Sequence, residues 1–317
     1  MKGNRNTAVA ETQQTGWRKT KVRSAGQNGK ETLMGYLFVG PMLAGLFIFT
    51  LIPILATIVL SLTDWNFVAG LDRIKFVGLD NFIKLTKDPL FIQSLVNNLL
   101  LLIVIPVTMI VSLVLAVVLN KQVFLKGMFK VIFFMPYISS VVAVAIVYQV
   151  LFHPSYGPVN QFLMSLGMSS PPKWLADPNF ALISVMMINV WTSIGFYMIL
   201  YLAGLQNIPK DLYESADIDG ANAFHKFRFI TVPMLSPTSF FLLVTGVIST
   251  FRIFDLIKVL TEGGPAGSTS VMVYYLYDTA FVNLKTGYAS SMGIVLLLMV
   301  LAITGIQWMA QKKWVNY

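Results

Sequence analysis

Residues 214–233 read ESADIDGANAFHKFRFITVP and lie between two apolar runs. Glu214, Asp217, Asp219, Lys226 and Arg228 crowd around a Gly-Ala pair at 220–221. Only 12% of the chain is charged, so a polar patch of this kind points to something soluble that docks against it. Intrinsic chemistry is harder to find. There is no G-x-x-x-x-G-K-[ST]; Gly29-Lys30 is followed by Glu31 and lacks the upstream glycine. There is no H-E-x-x-H, no G-x-S-x-G and no cysteine, and the two histidines, His153 and His225, are far apart in sequence. The chain is therefore expected not to be an enzyme, to hold no metal or cofactor of its own, and to draw any energy from another subunit.

The elements that must carry this patch are membrane helices. Hydrophobic residues make up 56% of the 317, far above a soluble domain with its usual quarter of charged residues. The net charge of +9 does not indicate a nucleic-acid partner, because seven of the bases precede residue 31, ahead of the first apolar run. Such a basic flank marks a cytoplasmic anchor. Residues 1–33 are expected to form a disordered basic tail and not a signal peptide, since no short apolar core with a small-residue cleavage site follows.

No Asp, Glu, Lys or Arg occurs in 32–63, 89–120, 131–172, 178–209, 229–251 or 286–311. Each gap holds the ~20 apolar residues that cross about 30 Å of hydrocarbon. Trimmed to 35–62, 95–119, 129–152, 180–204, 237–260 and 287–311, they predict an all-α integral membrane protein with a six-helix domain over 34–317. The runs are continuously apolar, which excludes a β-barrel. Pro41, Pro53, Pro106 and Pro136 predict kinks within the first three spans. The basic tail places both termini in the cytoplasm, together with Lys121, Lys126 and the loop 205–236. Trp65, Trp308 and Trp314 suit interfacial anchors.

Within that loop, Ile208-Pro209 ends the fourth span and Lys210 to Ile218 predicts a short helix with Asp211 and Glu214 near its start, where the helix dipole favours acids. Gly220 permits a sharp turn. The spacing E-[AS]-A-x-x-x-G, nine residues, I-x-[LV]-P resembles the EAA loop of binding-protein-dependent ABC importer permeases at Glu214, Ala216, Gly220, Ile230 and Pro233, with Asp219 and Ala221 also matching. Ser215 and Val232 replace the usual Ala and Leu. The resemblance implies that Glu214, Ser215, Ala216, Asp219, Gly220, Ala221, Ile230 and Pro233 couple the chain to an ATPase. FVGLDNF at 76–82, FFMPYISSVVAVAIVYQVLF at 133–152, INVW at 188–191, LTEGGPAGST at 260–269 and YLYDTAF at 275–281 narrow the likeness to carbohydrate-importing permeases of the maltose and glycerol-phosphate type.

That family implies a type I importer in a bacterial inner membrane. Its other parts are a second permease subunit, two ABC ATPase subunits that bind ATP and Mg, and an extracytoplasmic solute-binding protein. Aligned by INVW and LTEGGP, Asn189, Ser193, Phe196, Gly246, Ser249, Thr250 and Ile253 fall where maltose-type permeases line their sugar pocket. The plainer alternative is that these small and hydroxyl residues pack helices together. Arg252 and Asp255, one turn apart in the fifth span, are expected to form a local ion pair; the alternative is that Arg252 meets an anionic or heavily hydroxylated solute. Residues 263–269 have the glycines and proline of a turn, and are either a plain outer loop or part of the surface that meets the binding protein. A secondary transporter or channel without an ATPase is the competing function. It would want intramembrane acids or broken helices, and the spans suggest few.

Overall fold

A computed structural model describes residues 28–315 apart from 71, 73, 122 and 123. The chain divides into two compact units, residues 1–54 and 55–317. The first unit holds α1 (Asn28–Leu46), a π-turn at Phe47–Leu51 and the first residues of α2 (Ile52–Ser61). The π-turn directly precedes Pro53, whose ring removes a backbone donor. Helix thus begins at Asn28, within the expected 1–33 tail, while residues 1–27 lie outside the described part.

The second unit is helical, and among its described residues the one β contact is an isolated bridge between Thr63 and Phe76. After α3 (Asp80–Leu85) come α4 (Pro89–Leu101) and α5 (Val104–Asn120), which form one span of 32 residues. The turn between α4 and α5 falls at Leu102, four residues before Pro106; with no proline N–H to bond, the Leu102 carbonyl accepts from Ile105 N at 3.1 Å instead. The long helices α9 (Pro178–Gln206) and α16 (Thr286–Gln311) also cross unbroken, as does the helix Thr32–Ser61.

Two expected spans are not continuous. The third consists of α6 (Lys126–Ile138) and α7 (Val141–Leu151), bent by 97°. Pro136 sits in the last turn of α6, and the chain breaks three residues later at Ser139. In the fifth, α11 (Ala223–Lys226), a π-turn at Phe227–Thr231 and α12 (Val232–Met234) run into α13 (Ser236–Phe251) at a 60° bend. α13 stops at Phe251, and α14 (Asp255–Leu260) resumes after a break at 252–254. Among the described residues four spans are uninterrupted, and the total reaches six if each bent pair counts as one.

Packing orients the bundle. Ser112 on α5 donates to the Ile194 carbonyl of α9 at 2.9 Å, and Ala116 and Leu119 pack with Tyr201 and Leu205, so α5 and α9 run parallel. The Trp314 ring lies 6.0 Å from Phe240, which brings the end of α16 beside the start of α13. α10 (Lys210–Ile218) connects at this same end. At the opposite end, α8 (Pro158–Ser165), the 261–271 segment and α15 (Met272–Tyr277) close the bundle.

The 263–269 stretch is tied down and not a loose loop. Ser94, Asn97 and Asn98 share one face of α4 at i, i+3 and i+4. Ser94 Oγ lies 2.8 Å from Ser270 Oγ, and Asn97 Nδ2 donates to the Ser270 carbonyl at 2.8 Å. Asn98 Oδ1 accepts from Met272 N at 2.8 Å. These amides satisfy backbone groups that would otherwise be buried without partners.

Asp88 closes the same end. Its Oδ1 caps α4 by accepting from Leu90 N and Phe91 N, while its Oδ2 accepts from the hydroxyls of Tyr275 and Tyr288, each at 2.7 Å. Burial alone would raise this carboxyl, but the two tyrosines and the Phe91 and Leu90 amides together hold it below its ordinary value. Its folded pKa therefore lies below its unfolded one. The stabilisation is present above the unfolded value and is lost as pH falls through the folded value. Asp88→Asn keeps the cap but replaces the charged acceptor of both tyrosine hydroxyls by an amide nitrogen that can only donate to them. Thermal unfolding in detergent at neutral pH is expected to show a loss of roughly 1–2 kcal/mol, and the gap from the unsubstituted protein is expected to narrow below about pH 3.8.

Candidate functional site

The polar loop folds as a braced helical hairpin. α10 occupies Lys210–Ile218, as its composition predicts. It ends in a Schellman turn: Ala221 N donates to the Ala216 carbonyl at 2.8 Å and Gly220 N to the Asp217 carbonyl at 3.1 Å. Gly220 carries φ +75°, a left-handed conformation that costs a side chain energy, and its surroundings are otherwise open. Asn222 Oδ1 then accepts from His225 N and starts α11.

Two contacts brace α10 against the return segment. Lys226 Nζ meets Asp217 Oδ1 at 2.6 Å, and Tyr213 Oη lies 2.9 Å from Thr231 Oγ1. Ile230 and Tyr213 pack against Leu205, Ile208 and Leu235, so the hairpin is seated on the ends of α9 and α13. Pro233 lies in α12, where it is half-buried. Glu214, Ser215, Asp219 and Gly220 are exposed, and Ala216 and Ala221 are half-buried. Beside them Ile218, Phe224 and Phe229 stand 88%, 70% and 67% exposed. The hairpin is braced from within and presents a small-residue and aromatic outer surface of the kind that marks a protein contact.

The seven residues matched to a sugar pocket come together. Asn189, Ser193 and Phe196 of α9, Gly246, Ser249 and Thr250 of α13, and Ile253 just beyond it line one cavity of about 180 Å³. Val104, Ile105 and Thr108 of α5, Tyr137 of α6, Tyr197 of α9 and Thr245 of α13 complete the wall. Tyr137 and Phe196 stack at 4.7 Å between ring centroids and form a flat aromatic face. Opposite polar groups include Asn189, whose Oδ1 accepts from Ser193 Oγ at 3.3 Å. The Thr108 hydroxyl is buried with no partner among the described residues, and Thr250 Oγ1 is spent on the Gly246 carbonyl at 2.9 Å. An aromatic plane beside hydroxyl and amide groups can bind a polyhydroxylated ring.

Sequence reading missed Tyr137 and Thr108 as wall residues. The Pro-Tyr pair in FFMPYISS and a lone threonine in an apolar run were their only signals.

A second cavity of about 240 Å³ adjoins the first and shares Tyr137, Asn189, Ser193 and Ile253 with it. The two helix breaks meet here: Ser139 and Val141 line one side, and Arg252, Phe254 and Asp255 line another. The expected ion pair is not formed. Arg252 and Asp255 are both exposed to this cavity, and among the described residues neither joins a salt bridge. The reason is the end of α13 at Phe251, which removes the helical register that would have placed the two side chains on one face.

Against known proteins, a family model described as "Binding-protein-dependent transport system inner membrane component" matches residues 108–315. The chain belongs to this family. The lactose transport system permease protein LacF of Rhizobium radiobacter is 36% identical over 285 residues, 88% of this chain and 94% of that protein. The arabinooligosaccharides transport system permease protein AraP of Bacillus subtilis is 34% identical over 277 residues, 85% of each. A solved chain from a bacterial alginate ABC transporter, in complex with an alginate pentasaccharide-bound periplasmic protein, superposes with a TM-score of 0.79 at 25% identity, covering 90% of this chain and 96% of that one. This permease is thus a multi-pass membrane subunit of an ABC importer and not an enzyme.

The permease depends on close packing to shape its cavity. A Cβ on Gly195 would collide with the Phe133 carbonyl and lie 2.6 Å from Phe134 Cα, so α6 approaches α9 only because that position is glycine. Gly195→Ala is expected to push α6 and its Tyr137 away. The predicted cost is on the order of 1–3 kcal/mol, read as a lower melting temperature in detergent.

Proposed function

We propose that this permease imports a carbohydrate, an oligosaccharide or related polyol, across a bacterial inner membrane. Asn189, Ser193, Phe196, Gly246, Ser249, Thr250 and Ile253 line its path. The observation that carries this reading is the convergence of those seven residues on one cavity walled by the Tyr137–Phe196 stack. Arg252 and Asp255, unpaired in the adjoining cavity, offer a hydrogen-bond donor and an acceptor to the same solute.

In this reading the hairpin of α10 and α11 is the seat of a separate ABC ATPase. Glu214, Ser215, Ala216, Asp219, Gly220 and Ala221 make its contact surface, and Ile230 and Pro233 hold it to the bundle. ATP and Mg belong to the ATPase, and this chain binds no cofactor. A second permease subunit completes the path, and an extracytoplasmic solute-binding protein delivers solute at the end opposite α10. Both termini are cytoplasmic. That orientation is supported by the bases at the α10 end, Lys121, Lys126, Lys210, Lys226, Arg228, Lys312 and Lys313. Closure of the ATPase dimer moves the hairpins, and the bundle changes the side to which its cavity opens. Solute and ATP act by preferring different states of that equilibrium.

Two variants separate the roles. Glu214→Lys with Gly220→Asp is expected to abolish co-purification of the ATPase, while the permease itself remains monodisperse by size exclusion. Asn189→Leu is expected to keep the ATPase and to lower solute uptake in vesicles about tenfold, which corresponds to ~1.4 kcal/mol. Full retention of ATPase by the first variant would refute the docking role, and unchanged uptake by the second would refute the path.

A further inference from the structure

We infer that α8 and the turn after it lie in the boundary between lipid headgroups and acyl chains, as an interfacial anchor at the bundle end opposite α10. One face of the helix is fastened inward. Asn160, fully buried, donates to the Pro154 carbonyl at 3.0 Å and the Pro172 carbonyl at 3.1 Å, and accepts from Trp174 Nε1 at 2.7 Å. The rest of the surface is divided. Phe162 and Leu166, four residues apart and so on one stripe, stand 63% and 69% exposed. Gln161 and Ser165, also four apart, form a narrow exposed polar stripe beside them, with Met164 and Met168 exposed on its other side. No Asp, Glu, Lys or Arg occurs from 131 to 172.

The height of this helix follows from its attachment to α9. The Trp174 carbonyl accepts from Ser184 Oγ at 3.0 Å, which ties the α8 unit to the second turn of α9. α9 has 29 residues. At a rise of about 1.5 Å per residue it is roughly 43 Å long, against a hydrocarbon layer of about 30 Å. A centred α9 therefore crosses the hydrocarbon boundary within its first one to two turns, at the level of Ser184 and hence of α8.

Apolar side chains are also exposed on the helices to which α8 is joined. Val147 and Val150 on α7 and Phe180 and Ile183 on α9 are exposed apolar residues at the adjoining ends of those helices. An uncharged apolar stripe at the depth of the hydrocarbon boundary matches lipid better than a soluble partner, whose docking surface would carry polar and charged groups at its rim. The anchor fixes the outer ends of α7 and α9 relative to the membrane plane.

The sequence contains no cysteine, so single spin labels can be placed on the full-length chain with its co-purifying subunits in phospholipid vesicles. The sites are Phe162→Cys, Leu166→Cys, Gln161→Cys and Ser165→Cys. Labels at 162 and 166 are expected to collide with dissolved oxygen at least about threefold more than with a water-soluble nickel chelate, and labels at 161 and 165 to reverse that preference. Water-like collision at 162 and 166 would overturn the proposal. So would shielding of both from oxygen and chelate alike, which would mean a protein cover. The unsubstituted chain gives a second reading that needs no variant to fold. A carbene precursor dissolved in the bilayer is expected to tag the peptide bearing Phe162 and Leu166, and absence of the tag there would also overturn it.

Discussion

Backbone groups released from a helix at membrane depth must meet protein or water, because hydrocarbon offers them no partner. This constraint decides where the bundle may be broken. The breaks after Ile138 and after Phe251 come from different spans, yet both open onto the cavity lined by Ser139, Val141, Arg252, Phe254 and Asp255. The proposed solute path and these two breaks therefore share one location. Where the chain leaves regular helix further out, the amides of Asn97 and Asn98 take up the backbone of 270–272 instead.

Much of this was readable from residue types. Gaps in charge locate the long spans to within a few residues, because a charge in hydrocarbon is costly and its absence is informative. α10 and the left-handed turn at Gly220 follow from local chemistry. The breaks were only partly readable: Pro136 announces a kink, but nothing in the local sequence sets a turn of 97° three residues later. Arg252 and Asp255 mislead for a related reason, since a spacing of three implies contact only while the helix continues. Ser94, Asn97 and Asn98 carry no local signal of their role, because their partners lie more than 150 residues away.

Broken helices alone do not separate an ATP-driven importer from an ion-coupled carrier, since both can use them around a solute. The family match separates them, and in the proposed reading the ATPase sits on the hairpin. Asp217–Lys226 and Tyr213–Thr231 hold it as one piece, and Ile230 and Leu235 seat it on α9 and α13. Those two helices carry all seven of the pocket positions either along their length or just beyond α13. In the proposed reading a push on the hairpin would reach the cavity through continuous helix, from Gln206 back to Asn189, a distance of about 25 Å at ~1.5 Å per residue.

The central claim is that this push changes which side of the membrane the cavity faces. Ser249 is exposed within the cavity, and the chain has no competing thiol. The decisive measurement is labelling of Ser249→Cys by a membrane-impermeant thiol reagent in vesicles that contain the complete transporter, applied from each side. The account predicts labelling from the α10 side without nucleotide, and from the opposite side when the ATPase is held closed on ATP. Labelling from one and the same side in both conditions would contradict it.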